Sequence, residues 1–196
     1  MKTSWLIATT IIKKNLRSPL SNIPIILFPI TELLLFGYMN GVNGLQSAQN
    51  TFLFGIMLWI AIYRSQIEIN SEISEEIAHG NLKSIFSAPI TIFQYIWGVI
   101  ISSFLKLMPA LLIFFIASQF LFDFFTINNT MDIFLSLINF IIFGWTVGIL
   151  TTGIAIIFGS KVSFLSWFST VMLYPFLSTY YDASKMSFPF NLIGTI

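Results

Sequence analysis

The sequence predicts an all-α, polytopic integral membrane protein, from three observations. Its 196 residues are 56% hydrophobic, 17% aromatic and only 9% charged, with a mean hydropathy of +0.87. A soluble domain carries about 25% charged residues, so this chain cannot cover a globular surface with polar groups and needs lipid as the solvent for much of it. Its apolar runs continue unbroken over roughly twenty positions, the length of a spanning helix, whereas a membrane barrel needs short segments that alternate apolar and polar. The net charge of +1, with scattered basic residues, leaves no nucleic-acid footprint. The absence of cysteine excludes disulfides and thiolate metal sites. With no fixed-period repeat and no linker, residues 1–196 form one membrane domain.

Residues 1–18 predict an amphipathic interface helix. Trp5, Ala8, Ile12 and Leu16 recur at steps of three and four, while Thr3, Thr10, Lys14 and Arg17 recur on the opposite side. Such a helix is too charged to span and suits the headgroup layer, with Lys13, Lys14 and Arg17 toward anionic lipid. Lysines interrupt its apolar part and no small-residue cleavage site follows, unlike a signal peptide.

About five spanning helices follow. The first covers 22–39, with Pro24 in its opening turn, Pro29 further in and Glu32 near mid-depth. The second covers 51–67, the third 93–122, the fourth 133–158 and the fifth 162–177. The uncharged loop at 41–50 and the Asn/Thr-rich loop at 123–132, which has no basic residue, read as outside loops. Lys2, Lys13, Lys14, Arg17, Arg64, Lys83 and Lys161 all fall on the other side, so the amino terminus is expected in the cytoplasm and the carboxyl terminus outside. The tail at 175–196, broken by Pro175 and Pro189, suits a re-entrant hairpin.

The one substantial polar interval is 68–90, which holds Glu68, Glu72, Glu75 and Glu76 and the only histidine, His79. A helix there sets Glu72, Glu75, Glu76 and His79 on one face and Ile69, Ile73 and Ile77 on the other. Gly80 is a natural stop, Asn81 a cap for a short helix from Leu82, and Pro89 its end. Thr91 and Gln94 have the spacing of a capping box for the next span. The expected shape is an elbow between the second and third spans, its acidic face open to a soluble partner. Glu72, Glu76 and His79 share that face, but no second histidine or cysteine exists to complete a metal site, so none is expected.

Two intramembrane features stand out. Glu32 and Lys106 each lie about ten residues into their helices, ~15 Å deep at 1.5 Å per residue, where a charge is costly and a partner lowers the cost. They are expected either to pair or to stay apart, with Glu32 protonated and Lys106 snorkelling. Gly144 and Gly148 form a Gly-x-x-x-Gly step, with Thr152 one turn on, that admits close approach of another helix, within the chain or across a dimer. Asn139 on the same helix calls for a polar partner.

Glu72, Glu75, Glu76, Gly80, Leu82 and the run Ser87-Ala88-Pro89-Ile90 resemble the cytoplasmic loop of ABC-2 type transporter permeases. The segment Phe143-Gly144-Trp145-Thr146-Val147-Gly148-Ile149, and Tyr174-Pro175-Phe176 followed by Tyr180-Tyr181, are similar to later spans of that family, in its polysaccharide- and nodulation-factor-exporter-like or multidrug branches. The resemblance implies a multi-pass permease of the bacterial inner membrane, working with a second copy of itself and with a separate ATP-binding subunit that carries ATP and magnesium. It implies that Glu72, Glu75, Glu76, His79, Gly80, Leu82 and Pro89 belong to the coupling helix that docks on the ATPase. It also implies export of a lipid-linked saccharide or hydrophobic compound. The family has six spans and this chain stops inside the hairpin before the sixth, so a shortened, inactive permease or an incomplete chain is a further expectation.

No catalysis is expected of the chain itself. A phosphate-binding loop delivers Gly-Lys-Ser/Thr to a helix start, and Gly159-Ser160-Lys161 has the wrong order. No cofactor is expected on this chain. The alternative from another class is a transporter or channel-like component driven by an ion gradient, with Glu32 and Lys106 as its relay.

Overall fold

The computed structural model describes residues 2–17, 23, 27–35, 46–122, 130–159 and 164–173. Among these every regular element is helical: α1 (Lys2–Leu16), α2 (27–35), α3 (Gln46–Ala78), α4 (Leu82–Ser87), α5 (Ile92–Phe122), α6 (Thr130–Phe158) and α7 (Phe164–Leu173). Three helices are long and apolar enough to cross a membrane, over Phe52–Ala78, Ile92–Phe122 and Ile133–Phe158. They correspond to the second, third and fourth expected spans. The first and fifth are described only in part, at 23 and 27–35 and at Phe164–Leu173, and are helical there. The hairpin expected at 175–196 and the turn at Ser160-Lys161 lie outside the described residues.

The central helix is α3, and α5, α6 and α7 pack around it. Leu53, Ile56 and Met57 through Ile62 are all buried, so this stretch has no free side. One apolar layer joins Leu53, Ile56 and Ile60 to Leu33 and Phe114, a second joins Ala61 to Leu107 and Ile141, and a third joins Ile69 and Ile73 to Tyr95 and Val99. By contrast, Phe120, Ile157, Phe93, Met131 and Phe158 stand exposed on the outer helices, as side chains solvated by lipid do.

Glycine sets how closely two of the helices approach. A methyl group at Gly144 would lie 2.6 Å from the Ile62 carbonyl oxygen, and one at Gly148 2.9 Å from that of Gln66. The Gly-x-x-x-Gly step therefore seats α6 on the backbone of α3, within the chain. Gly98 does the same for α1, whose Ile7 side chain would meet an added methyl at 2.6 Å. The face of α1 that packs is consequently Ser4, Ile7, Ala8 and Ile11, while Trp5, Leu6 and Leu16 are exposed. Ala8, expected on the lipid side with Trp5 and Leu16, is fully buried.

The second span and the acidic segment are one continuous helix of 33 residues. No proline or glycine falls between Gly55 and Gly80 to interrupt it, and the polar side chains that would break an isolated span find partners on neighbouring helices. The helix ends at Gly80, φ 69°, where the Asn81 amide bonds the Glu76 carbonyl at 3.0 Å and the Gly80 amide that of Ile77 at 3.1 Å. This is a Schellman closure, which requires the left-handed conformation glycine accepts. Asn81 makes no side-chain cap on α4. Ala88, held extended by the following Pro89, ends the short helix. The expected capping box then opens α5: the Thr91 amide donates to Gln94 Oε1 at 3.1 Å and the Gln94 amide to Thr91 Oγ1 at 3.3 Å.

Candidate functional site

A ladder of charges runs along one side of α3. Arg64, Glu68, Glu72 and Glu76 recur every four residues, so they share a face of the helix. Arg64 Nη2 donates to Glu68 Oε1 at 2.6 Å. From α5, Lys106 Nζ lies 3.1 Å from Glu68 Oε2 and also donates to Glu72 Oε1. From α1, Asn15 Nδ2 donates to the same Glu72 oxygen at 2.6 Å. Further along, Lys14 Nζ lies 2.7 Å from Glu76 Oε1 and 2.9 Å from Glu75 Oε2, and Asn81 Nδ2 donates to Glu76 Oε2 at 3.1 Å.

Burial grades along the ladder and separates two kinds of rung. Arg64, Glu68 and Glu72 are 5–7% exposed, and with Lys106 they balance two positive charges against two negative. Buried charges survive only when paired and hydrogen-bonded, and this quartet meets that condition except at Arg64 Nε, which has no partner among the described residues. The outer rung is wet: the Lys14 side chain is 41% exposed and that of Glu75 46%. Partial burial would favour the neutral amine at Lys14, but hydrogen bonds and charge attraction from Glu76 and Glu75 outweigh it and hold the ammonium above the ordinary lysine range.

The remaining sides of α3 are also tied by polar groups. Gln66 donates to Ser169 at 2.9 Å and accepts from Thr170, both on α7. Asn70 donates to Thr152 of α6 at 3.3 Å. Ser103 of α5 donates to the Ser65 carbonyl at 3.3 Å and accepts from Trp145 Nε1 of α6 at 3.2 Å. The segment 64–76 is thus bonded to α1, α5, α6 and α7 together, and displacing it moves groups on all four.

The expected site residues divide. Glu72 points inward to Lys106 and Asn15, and Glu76 is largely covered by Lys14 and Asn81. Glu75 keeps an open side, and His79 is exposed with Nδ1 2.7 Å from the Glu75 carbonyl. Gly80 makes the turn, Leu82 opens α4, and Pro89 is exposed between α4 and α5. The exposed tip of this region is therefore Glu75, His79, Gly80 and Asn81 with Lys83, Ser84, Phe86 and Ser87 of α4, and it keeps only Glu75 and His79 of the expected four-residue face.

Glu32 and Lys106 are not a pair. Lys106 is held by Glu68 and Glu72, while Glu32 Oε1 accepts from Trp59 Nε1 at 3.2 Å and its Oε2 has no described partner. Lys106 stands near the middle of α5, and the residues of α3 packed beside it there are Glu68 and Glu72, which take its ammonium. Asn139 is exposed on α6 and bonds to no described residue. No group of metal-binding side chains occurs among the described residues. Arg64, Glu68 and Asn15 escaped the sequence reading, although the four-residue repeat 64-68-72-76 was a usable signal for the first two. Comparison with models of known protein families, with curated proteins and with solved structures finds no match to this chain.

Proposed function

We propose that the chain is a membrane-spanning permease subunit of an ATP-driven exporter, acting in pairs and docking on a separate ATP-binding subunit through the tip formed by Glu75, His79, Gly80 and α4. The observation that supports it is the unbroken α3, which carries an exposed tip at one end and enters the apolar core at the other without a joint. A push at the tip acts on a rigid rod whose charge ladder grips α1 and α5. Docking and transmission then belong to different residues: Glu75 and His79 meet the partner, and Glu68, Glu72 and Lys106 pass the movement on. The cargo class that goes with the loop resemblance is a lipid-linked saccharide or a hydrophobic compound, in a bacterial inner membrane with the tip on the cytoplasmic side.

The test is purification of the tagged chain from its own membranes in mild detergent, with ATP hydrolysis measured in the eluate. An ATP-hydrolysing subunit is expected to co-elute, and Glu75→Lys with His79→Glu is expected to release it while the permease still elutes as a folded protein. ATP turnover that is absent, or present and indifferent to both changes, contradicts the proposal. The ion-gradient alternative drew on a Glu32–Lys106 relay, and the separate partners of those two residues leave it without that support.

A further inference from the structure

Between α3, α4, α5 and α6 lies a slot of about 500 Å³. Its walls are almost wholly apolar: Ile69 and Ile73 form its floor, Ile96 and Ile100 one side, Ile149 and Ile156 the other. Ile156 is exposed, as are Phe86 and Ile92 at the α4 end, so the slot opens sideways to the surroundings of the bundle. From Ile92 to Ile100 its α5 wall runs ~12 Å along the helix. The one charged residue in its lining is Lys83, on α4. Lys83 is exposed and forms no ion pair with any described residue.

We infer that this slot is a binding site for one anionic membrane phospholipid, with an acyl chain lying between α5 and α6 and the headgroup phosphate on Lys83. The chemistry is that of an amphiphile with negative charge at one end: an apolar trough the length of several methylenes, capped by an unpaired ammonium at the end where Lys13, Lys14 and Arg17 also lie. A soluble phosphate has no use for the apolar walls, and a neutral lipid none for Lys83. A neighbouring slot of about 480 Å³ between α1 and α4 shows the contrast. It also contains a lysine, Lys14, but Glu75 and Glu76 already hold that ammonium, so no charge remains there for a headgroup.

Gly153 offers a way to close the slot without harming the fold, because it lines the slot and an added Cβ there would meet nothing within 4 Å. The test uses the full chain in vesicles that contain phosphatidylglycerol or phosphatidylcholine with a photoreactive group on the acyl chain, followed by mapping of labelled peptides. Phosphatidylglycerol is expected to label peptides around 92–100 and 149–156 about fivefold more than phosphatidylcholine, the factor given by one lysine–anion contact at a membrane surface. Lys83→Gln should lower phosphatidylglycerol labelling to the phosphatidylcholine level, and Gly153→Phe should remove both. Equal labelling by the two lipids in the unaltered chain, a phosphatidylglycerol preference that survives Lys83→Gln, or labelling that survives Gly153→Phe overturns the inference.

Discussion

Lys106 holds the most consequential single position. Its side chain is only 11% exposed, it belongs to a different helix from its partners, and it is shared between Glu68 and Glu72. Removing one member of a buried ion pair leaves the other uncompensated, which costs roughly 3–5 kcal/mol. Lys106→Met is therefore expected to lower the unfolding free energy by about that amount, measured by denaturant titration in mild detergent micelles. Because Glu72 is part of what is left stranded, Lys106→Met combined with Glu72→Gln should cost clearly less than the two single changes added. Lys106→Met with Glu32→Gln should be additive, since those residues share no contact. At the wet end the expectation reverses. Exposed ion pairs contribute about 0–1 kcal/mol, so Lys14→Met should leave unfolding nearly unchanged. None of this was legible from residue spacing alone. A wheel shows that Glu72, Glu75, Glu76 and His79 share a face, but which of them turns inward depends on Lys106, more than thirty positions away.

At the scale of elements, glycine decides what may touch what. An alanine at Gly144 would press on the Ile62 carbonyl and the Ser65 side chain, backbone and a buried group that cannot yield, and overpacking of this kind costs about 1–3 kcal/mol. An alanine at Gly153 meets nothing and removes a flexible residue from a helix, a gain of roughly 0.5–1 kcal/mol. Thermal unfolding should accordingly move down for Gly144→Ala and up for Gly153→Ala. Gly80→Ala should also move down, by roughly 1–2 kcal/mol, because its φ of 69° is a left-handed position. Helix existence was the most legible feature of this chain, since a run of twenty apolar residues has few other solutions. The α3 boundary was less so. The change from apolar to acidic at residue 68 suggested a joint, yet the backbone has no reason to bend where neighbouring helices satisfy the polar side chains.

For the molecule as a whole, α3 connects an exposed polar tip to a buried core, and the ladder fastens α1 and α5 to its flank. Glu32 and Lys106 were set at similar depth by counting along their own helices, but what a charge meets depends on the helix packed beside it: at Lys106 this is the Glu68–Glu72 stretch of α3, and at Glu32 it is Trp59. Composition alone does not report such neighbours. The lysine-capped slot depends on four helices and was likewise invisible in one dimension.

An ATP-hydrolysing partner docked as proposed lies within crosslinking reach of the α3–α4 tip. The chain contains no cysteine, so single cysteines can be placed at will. His79→Cys and Ser84→Cys put a thiol at the tip, and Phe134→Cys puts one on the exposed flank of α6. With a short bifunctional crosslinker in native membranes, the first two are expected to join the permease to the subunit that hydrolyses ATP, and Phe134→Cys is not. Crosslinks to that subunit from position 134 but not from 79 or 84, or from none of the three, would rule out docking at the tip.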